Sequence, residues 1–315
     1  MEKFKQITMI DACRLTQESL PEIQKLSENP LRLYWDYPKT EPEVIERIGG
    51  SDCVLVSFQT RLTPSIIKAS PNLKYIGMCC SLFSEESSNV DIPASRERGI
   101  TVKGVFDYGD EGVVEYIFNK LISLAKGLEK YQWKDEPCEL SYKSIGLIGM
   151  GTTATMVAAA ARIFGMKVYY YSRTRKSEEE SKGATFLPLK ELMATCDVIS
   201  IHLPRHTLLL HEEEFAVKKK NSILINTSLG ALFNKQAFYD WLNNDPTSYA
   251  IFDRDGCGDL YEELSTRDRV ITYDRSAGFT FESKQRLSQK ALDNMKKFLR
   301  EQKTPNTNNV NDIMD

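Results

Sequence analysis

The sequence predicts an α/β protein built from two doubly wound parallel sheets. Short runs of β-branched and aromatic residues alternate with helix-like runs through the first third of the chain. The alternation pauses at a long amphipathic segment and restarts near Ile145. A length of 315 residues also exceeds what one hydrophobic core usually holds.

Ile7–Ile10, Leu31–Trp35, Cys53–Phe58 and Leu73–Cys79 read as strands. Between them Glu18–Ser27, Pro42–Ile48 and Pro64–Ala69 read as helices, with Pro42 and Pro64 where a first-turn proline is tolerated. Pro93–Arg98 is a further helix, stopped by Gly99, and Thr101–Lys103 begins another strand. From about Gly112 to Lys130, Val113, Tyr116, Ile117, Leu121, Leu124 and Leu128 form one apolar stripe at helical spacing, so a long helix is expected. A polar stretch, Trp133–Tyr142, follows. Ile145–Gly149, Val168–Ser172, Val198–His202, Ile223–Thr227, Tyr249–Asp253 and Val270–Tyr273 then read as six strands, with a helix over Met156–Phe164. A last helix, about Glu282–Arg300, leads into a polar tail, Gln302–Asp312. Residues 1–103 with 283–315 are expected to form one domain and 104–282 the other.

Composition narrows the function. The chain is 41% hydrophobic and 27% charged, with a mean hydropathy of −0.38, which is ordinary for a globular protein. Forty-one basic against 44 acidic residues leave a net charge of −3, without the basic excess of a nucleic-acid binder. No run reaches the ~18 apolar residues of a membrane helix. The opening residues lack the apolar core of a secretory signal. Seven cysteines with no C-x-x-C pair point to reduced thiols and a cytoplasmic setting. His202 and His206 are four apart, but Pro204 between them argues against a shared helix face, so no metal site is expected.

The sharpest motif is Ser144-Ile-Gly-Leu-Ile-Gly149-Met-Gly151-Thr152-Thr153-Ala154. A strand runs into a glycine turn and then a helix, the arrangement that lets a pyrophosphate approach the backbone and meet free N–H groups. About 20 residues on, an acidic side chain would hold the ribose 2′-hydroxyl of NAD. Here the chain reads Tyr171-Ser172-Arg173-Thr174-Arg175-Lys176. Three cations, two hydroxyls and no carboxylate suit a 2′-phosphate, so NADP is expected over NAD.

These residues carry a resemblance to the D-isomer-specific 2-hydroxyacid dehydrogenases. Asn89–Val102 resembles the family's segment entering the crossover, and Glu111-Gly-Val-Val-Glu115 its crossover helix. Gly149 through Val168 is similar to its cofactor loop and following helix. His202-Leu203-Pro204, Ile225-Asn-Thr227-Ser228-Leu229-Gly230 and Ala277-Gly278-Phe-Thr-Phe-Glu282 match its later motifs in order and spacing. The resemblance implies a Rossmann-type cofactor domain inserted into a flavodoxin-like substrate domain, an active site in the cleft, and a homodimer through the cofactor domain. It also implies that Leu203, Pro204, Thr227, Ser228, Asp253, Ala277 and Gly278 join the glycine loop around the cofactor.

The chain departs from the family where the chemistry lies. The family's arginine falls on Leu229, its glutamate near Gly258 and its histidine on or beside Arg275. The substrate-domain loop carries Glu85 and Glu86, which would repel a 2-oxo acid. Replacement groups near these positions are Tyr273, Asp274, Arg275, Arg254 and His206. Losing one oriented polar group commonly costs about 10²–10³-fold in rate. The expectation is an NAD(P)-binding oxidoreductase with a rewired site, acting on a carbonyl or imine compound other than a simple 2-oxo acid. The alternatives are a catalytically silent NADP-binding protein and an ordinary 2-oxo acid reductase.

Overall fold

The computed structural model describes residues 2–302 apart from Phe83 and His206. Its contacts divide the chain into a discontinuous unit, running to Tyr108 and resuming at Phe281, and a continuous unit, Gly109–Thr280. The polar tail beyond residue 302 lies outside the described residues.

The discontinuous unit holds β1 (Ile7–Met9), β2 (Arg32–Leu33), β3 (Cys53–Val56), β4 (Tyr75–Met78) and β5 (Thr101–Lys103), all parallel in the order β2-β1-β3-β4-β5. This is a flavodoxin-like order. β3 and β4 are buried at every position, because helices cover both faces of a parallel sheet. The last helix, Phe281–Glu301, packs Leu287, Ala291, Leu292, Met295, Phe298 and Leu299 into one of its two cores. There Phe298 stacks on Phe4 at 5.6 Å and tilts against Tyr75 at 5.0 Å. The expected strand Leu31–Trp35 shrinks to two paired residues at the sheet edge, where only Thr8 and Met9 offer partners.

The continuous unit holds seven parallel strands: β6 (Ser144–Ile148), β7 (Lys167–Tyr171), β8 (Thr185–Phe186), β9 (Val198–Ile201), β10 (Ile223–Asn226), β11 (Tyr249–Phe252) and β12 (Val270–Thr272). Their order is β12-β11-β10-β9-β6-β7-β8, the Rossmann arrangement with its switch point between β6 and β9. Sequence reading missed β8, whose two residues are too few for a periodicity signal. The long helix spans Asp110–Lys126 rather than reaching Lys130, because Gly127 turns left-handed at φ 65°. Leu128, expected on its apolar stripe, is therefore 69% exposed. The stretch read as polar contributes Trp133 and Leu140 to the core, and the Trp133 indole N–H donates to the Asn221 carbonyl.

Candidate functional site

The carboxyl ends of the seven strands are aligned by register, with Ile148 opposite both Tyr171 and Ile201. Gly149, Ser172 and His202 therefore leave the sheet side by side. Gly149 has φ +92°, and a Cβ there would lie 2.0 Å from the His202 carbonyl oxygen, so only glycine fits. Gly151 is exposed, with nothing within 4 Å of where its Cβ would be. It precedes helix Thr152–Ile163, whose first turn has no side-chain cap. The loop thus presents an open cradle lined by the N–H groups of Thr152, Thr153 and Ala154. Ala154, in place of a third glycine, is buried in the core beneath. The residues present fit a dinucleotide pyrophosphate.

Beyond β7, the Ser172 hydroxyl donates to the Thr174 carbonyl at 2.5 Å. Arg173 and Thr174 are exposed, and no ion pair neutralises Arg173 among the described residues. Arg175 differs from expectation. Its guanidinium makes two 2.9 Å bonds to Glu180, which also accepts the Tyr170 hydroxyl at 2.5 Å. The Arg175 charge is already paired and the one Ser172 hydroxyl proton is already donated to Thr174, so a 2′-phosphate would rely on Arg173. Sequence distance concealed this, since Glu180 lies five positions on in a helix that was not anticipated.

The loops after β9, β10, β11 and β12 are stitched together by side chains. The Ser228 hydroxyl accepts from Leu203 N at 3.1 Å and donates to the Ile201 carbonyl at 3.0 Å. The Asn226 amide donates to the Gly230 and Gly256 carbonyls, each at 2.9 Å. Asp253, 1% exposed, accepts Gly256 N and Ala277 N, each at 2.7 Å, one on each carboxylate oxygen. Burial pushes its carboxyl up to about 7, against the pull of those two donors. Both oxygens are occupied by backbone, so Asp253 fixes Ala277 rather than reaching out as a cofactor ligand. Leu203, Thr227 and Gly278 are half-buried around this loop cluster, and Pro204 is exposed.

The expected catalytic groups divide. Arg254 donates to the Gly258 carbonyl at 3.0 Å and lies 4.4 Å from the Tyr261 ring centroid, so it serves its own turn and is removed from the catalytic set. Tyr273 stacks on Tyr116 at 5.6 Å and keeps 37% exposure. Asp274 and Arg275 are exposed beside it. His206 lies outside the described residues. His202 bonds Ser200 Oγ at 2.9 Å and is driven down to about 4 by desolvation, so near pH 7 it is neutral and is not an imidazolium acid. His211 precedes the helix Glu212–Ala216, and its backbone N–H donates to Glu214. In the discontinuous unit Glu85 pairs with Arg96, which offsets the repulsion expected of its charge. No cluster of metal-ligating side chains occurs among the described residues.

Comparison with known proteins decides the family. The model for the D-isomer-specific 2-hydroxyacid dehydrogenase NAD-binding domain matches residues 116–272. The chain belongs to the D-isomer-specific 2-hydroxyacid dehydrogenase family. A glyoxylate reductase from Thermococcus litoralis is 26% identical over 317 residues, covering 93% of this chain and 94% of its own. A hydroxypyruvate reductase from Blautia hydrogenotrophica is 26% identical over 280 residues, covering 82% and 85%. Among solved structures, an acyclic imino acid reductase in complex with NADPH and D-Arg is 25% identical, with a TM-score of 0.80 over 94% of this chain and 97% of that one. Two parallel-sheet α/β domains with an NAD(P)-binding unit are thus the family's own architecture, and the chain is of the NAD(P)-dependent oxidoreductase type.

Within a D-2-hydroxyacid dehydrogenase framework the replaced positions take on definite shapes. Leu229 is half-buried on the loop after β10 and supplies apolar surface there. Gly258 has φ 54° and ψ −133°, and a Cβ there would lie 3.0 Å from the Gly230 Cα. A side chain at Gly258 would have to adopt this left-handed φ and push the Gly230–Ala231 backbone aside by a few tenths of an ångström.

Proposed function

We propose that this protein is an NADPH-linked reductase of a carbonyl-type compound other than a simple 2-oxo acid, and within that class of an imine. One observation carries the reading: Leu229, Gly258 and Arg275 remove the family's cation, its glutamate and its acid, and desolvation keeps the half-buried His202 neutral. Reduction of a carbonyl leaves an alkoxide that needs a proton as it forms. An iminium already carries its proton. Hydride forms the new C–H bond, the C=N π pair becomes the nitrogen lone pair, and no enzyme acid is required. NADPH held on the glycine loop would supply that hydride. The likeness to an acyclic imino acid reductase holding NADPH supports the same reading.

NADP is preferred over NAD in this proposal, through Arg173 and the lack of a free carboxylate after β7. The continuous unit holds the cofactor and the discontinuous unit the substrate. The active form is a homodimer built through the continuous unit, where Tyr142 and Ile163 are each 83% exposed and Phe164 is 39% exposed. No described helix is long and apolar enough to cross a membrane, and all seven cysteines are free, which suits a reducing cytoplasm.

The test follows NADPH oxidation with neutral ketones and aldehydes, each with and without methylamine, beside glyoxylate, pyruvate and hydroxypyruvate. Turnover that requires the amine supports the proposal. The relatives named glyoxylate reductase favour a second reading, an ordinary 2-oxo acid reductase, which predicts a kcat/KM near or above about 10⁴ M⁻¹s⁻¹ on one of the three acids. NADPH binding without any turnover would instead indicate a silent cofactor-binding protein.

A further inference from the structure

Asp110 opens the helix Asp110–Lys126, and its carboxylate accepts the Thr153 hydroxyl across 43 residues of sequence. Thr153 is the second residue of helix Thr152–Ile163, directly beyond the glycine cradle. The neighbours of Asp110 fix its other side. A Cβ on Gly109 would lie 2.7 Å from the Gly278 carbonyl oxygen, and one on Gly112 would lie 2.8 Å from that of Ala277. The helix start is therefore wedged between the cofactor loop and Ala277–Gly278, the segment just after the position where the family carries its acid. Asp110 is half-buried, and no ion pair neutralises it among the described residues. Asp110 thus brings a negative charge to the junction of the cofactor loop and the Ala277–Gly278 segment, with Asp274 and Arg275 exposed on the chain just before that segment.

We infer that Asp110 selects the charge accepted at the reacting end of this site, favouring a cation there and disfavouring a 2-oxo acid. The part of this that concerns an iminium substrate rests on the function proposed above; the part that concerns charge does not. A carboxylate in a partly desolvated setting stabilises a nearby cation and repels an anion more strongly than it would in water. It also holds an imine nitrogen in its protonated form. Asp110 gives up no proton in the step: the iminium brings its own, and the amine product later takes another from water. The role is binding and selection, so it acts on KM more than on kcat.

The experiment compares the wild type with Asp110→Asn and with Glu111→Gln, which removes the same charge one residue on, at an exposed position. The first readout is the ratio of Kd for NADP⁺ to Kd for NADPH, because only the oxidised nicotinamide ring is positive. Asp110→Asn is expected to raise this ratio about tenfold, the factor carried by ~1.4 kcal/mol, and Glu111→Gln to leave it unchanged. The second readout uses 2-methyl-1-pyrroline as the iminium probe and pyruvate as the anion. Asp110→Asn is expected to raise the KM for the pyrroline about tenfold with kcat little changed, and to leave pyruvate no worse. A shifted ratio in a protein that reduces no imine would uphold the charge role of Asp110 and sink the imine reading alone. An unchanged ratio, or an equal shift in Glu111→Gln, would overturn the inference whatever the pyrroline kinetics show.

Discussion

At Asp253, burial and two N–H donors pull in opposite directions, and burial prevails, raising the carboxyl from 3.8 to about 7. A carboxyl with a folded pKa above its unfolded value binds its proton more tightly when folded. Its contribution favours folding at low pH and is lost as pH rises from about 4 through about 7. Asp253→Asn should remove that slope, read as the difference in unfolding free energy between pH 5 and pH 8. The amide cannot accept both backbone N–H groups, so an overall loss of about 1–3 kcal/mol is also expected. An unaltered pH slope would mean that Asp253 does not titrate in this range. Cofactor choice is tested at Arg173, an exposed cation of its loop that no ion pair neutralises among the described residues. Arg173→Asp should weaken NADPH about tenfold or more while leaving NADH within about threefold. Parallel losses for both cofactors would assign the preference elsewhere. Some of these roles were legible in the sequence and others were not. Arg173 was visible as a cation where a carboxylate belongs. The diversion of Arg175 to Glu180 and of Arg254 to Tyr261 was hidden, because each depends on a helix that composition did not signal.

The glycine loop and its helix act as one element, and their two glycines fail differently when changed. Gly149→Ala would drive a methyl group into the His202 carbonyl, so both thermal stability and NADPH binding should fall. Gly151→Ala meets open space, so the melting temperature should hold within about 2 °C while NADPH binding weakens about tenfold, because the pyrophosphate needs that space. If both variants lose stability equally, the cradle is a structural turn only. The element that begins at Gly258 makes the complementary case. Placing glutamate there forces a side chain onto a backbone conformation suited to glycine, at a cost of about 1–3 kcal/mol. Restoring arginine at 229, glutamate at 258 and histidine at 275 together should therefore destabilise the protein without returning strong 2-oxo acid reduction. The strands of both sheets other than β8 were readable because each is short, apolar and β-rich. The closure of Gly258 on Gly230 was not, since it arises from the packing of two loops after different strands.

Across the whole molecule, the two strand orders follow from right-handed crossovers between consecutive parallel strands, which is why the sequence rhythm sufficed to anticipate both sheets. The last helix returns to the discontinuous unit. Its packing on Phe4 and Tyr75 shows the physical reason, an aromatic cluster that neither chain end could bury alone. The exposed apolar residues Tyr142, Ile163 and Phe164 underlie the proposed dimer. Ile163→Asp should shift the mass measured by light scattering from twice 35.9 kDa towards 35.9 kDa, with the cofactor still bound. An unchanged mass would place the interface elsewhere. The claim that reaches furthest is that the lost acid is explained by a substrate that needs none. The most direct measurement is kcat/KM with NADPH for 2-methyl-1-pyrroline and for glyoxylate, side by side on one preparation at neutral pH. The account predicts that the pyrroline is favoured by about 10²-fold or more, the scale of one missing oriented catalytic group. Glyoxylate equal to or better than the pyrroline would contradict it.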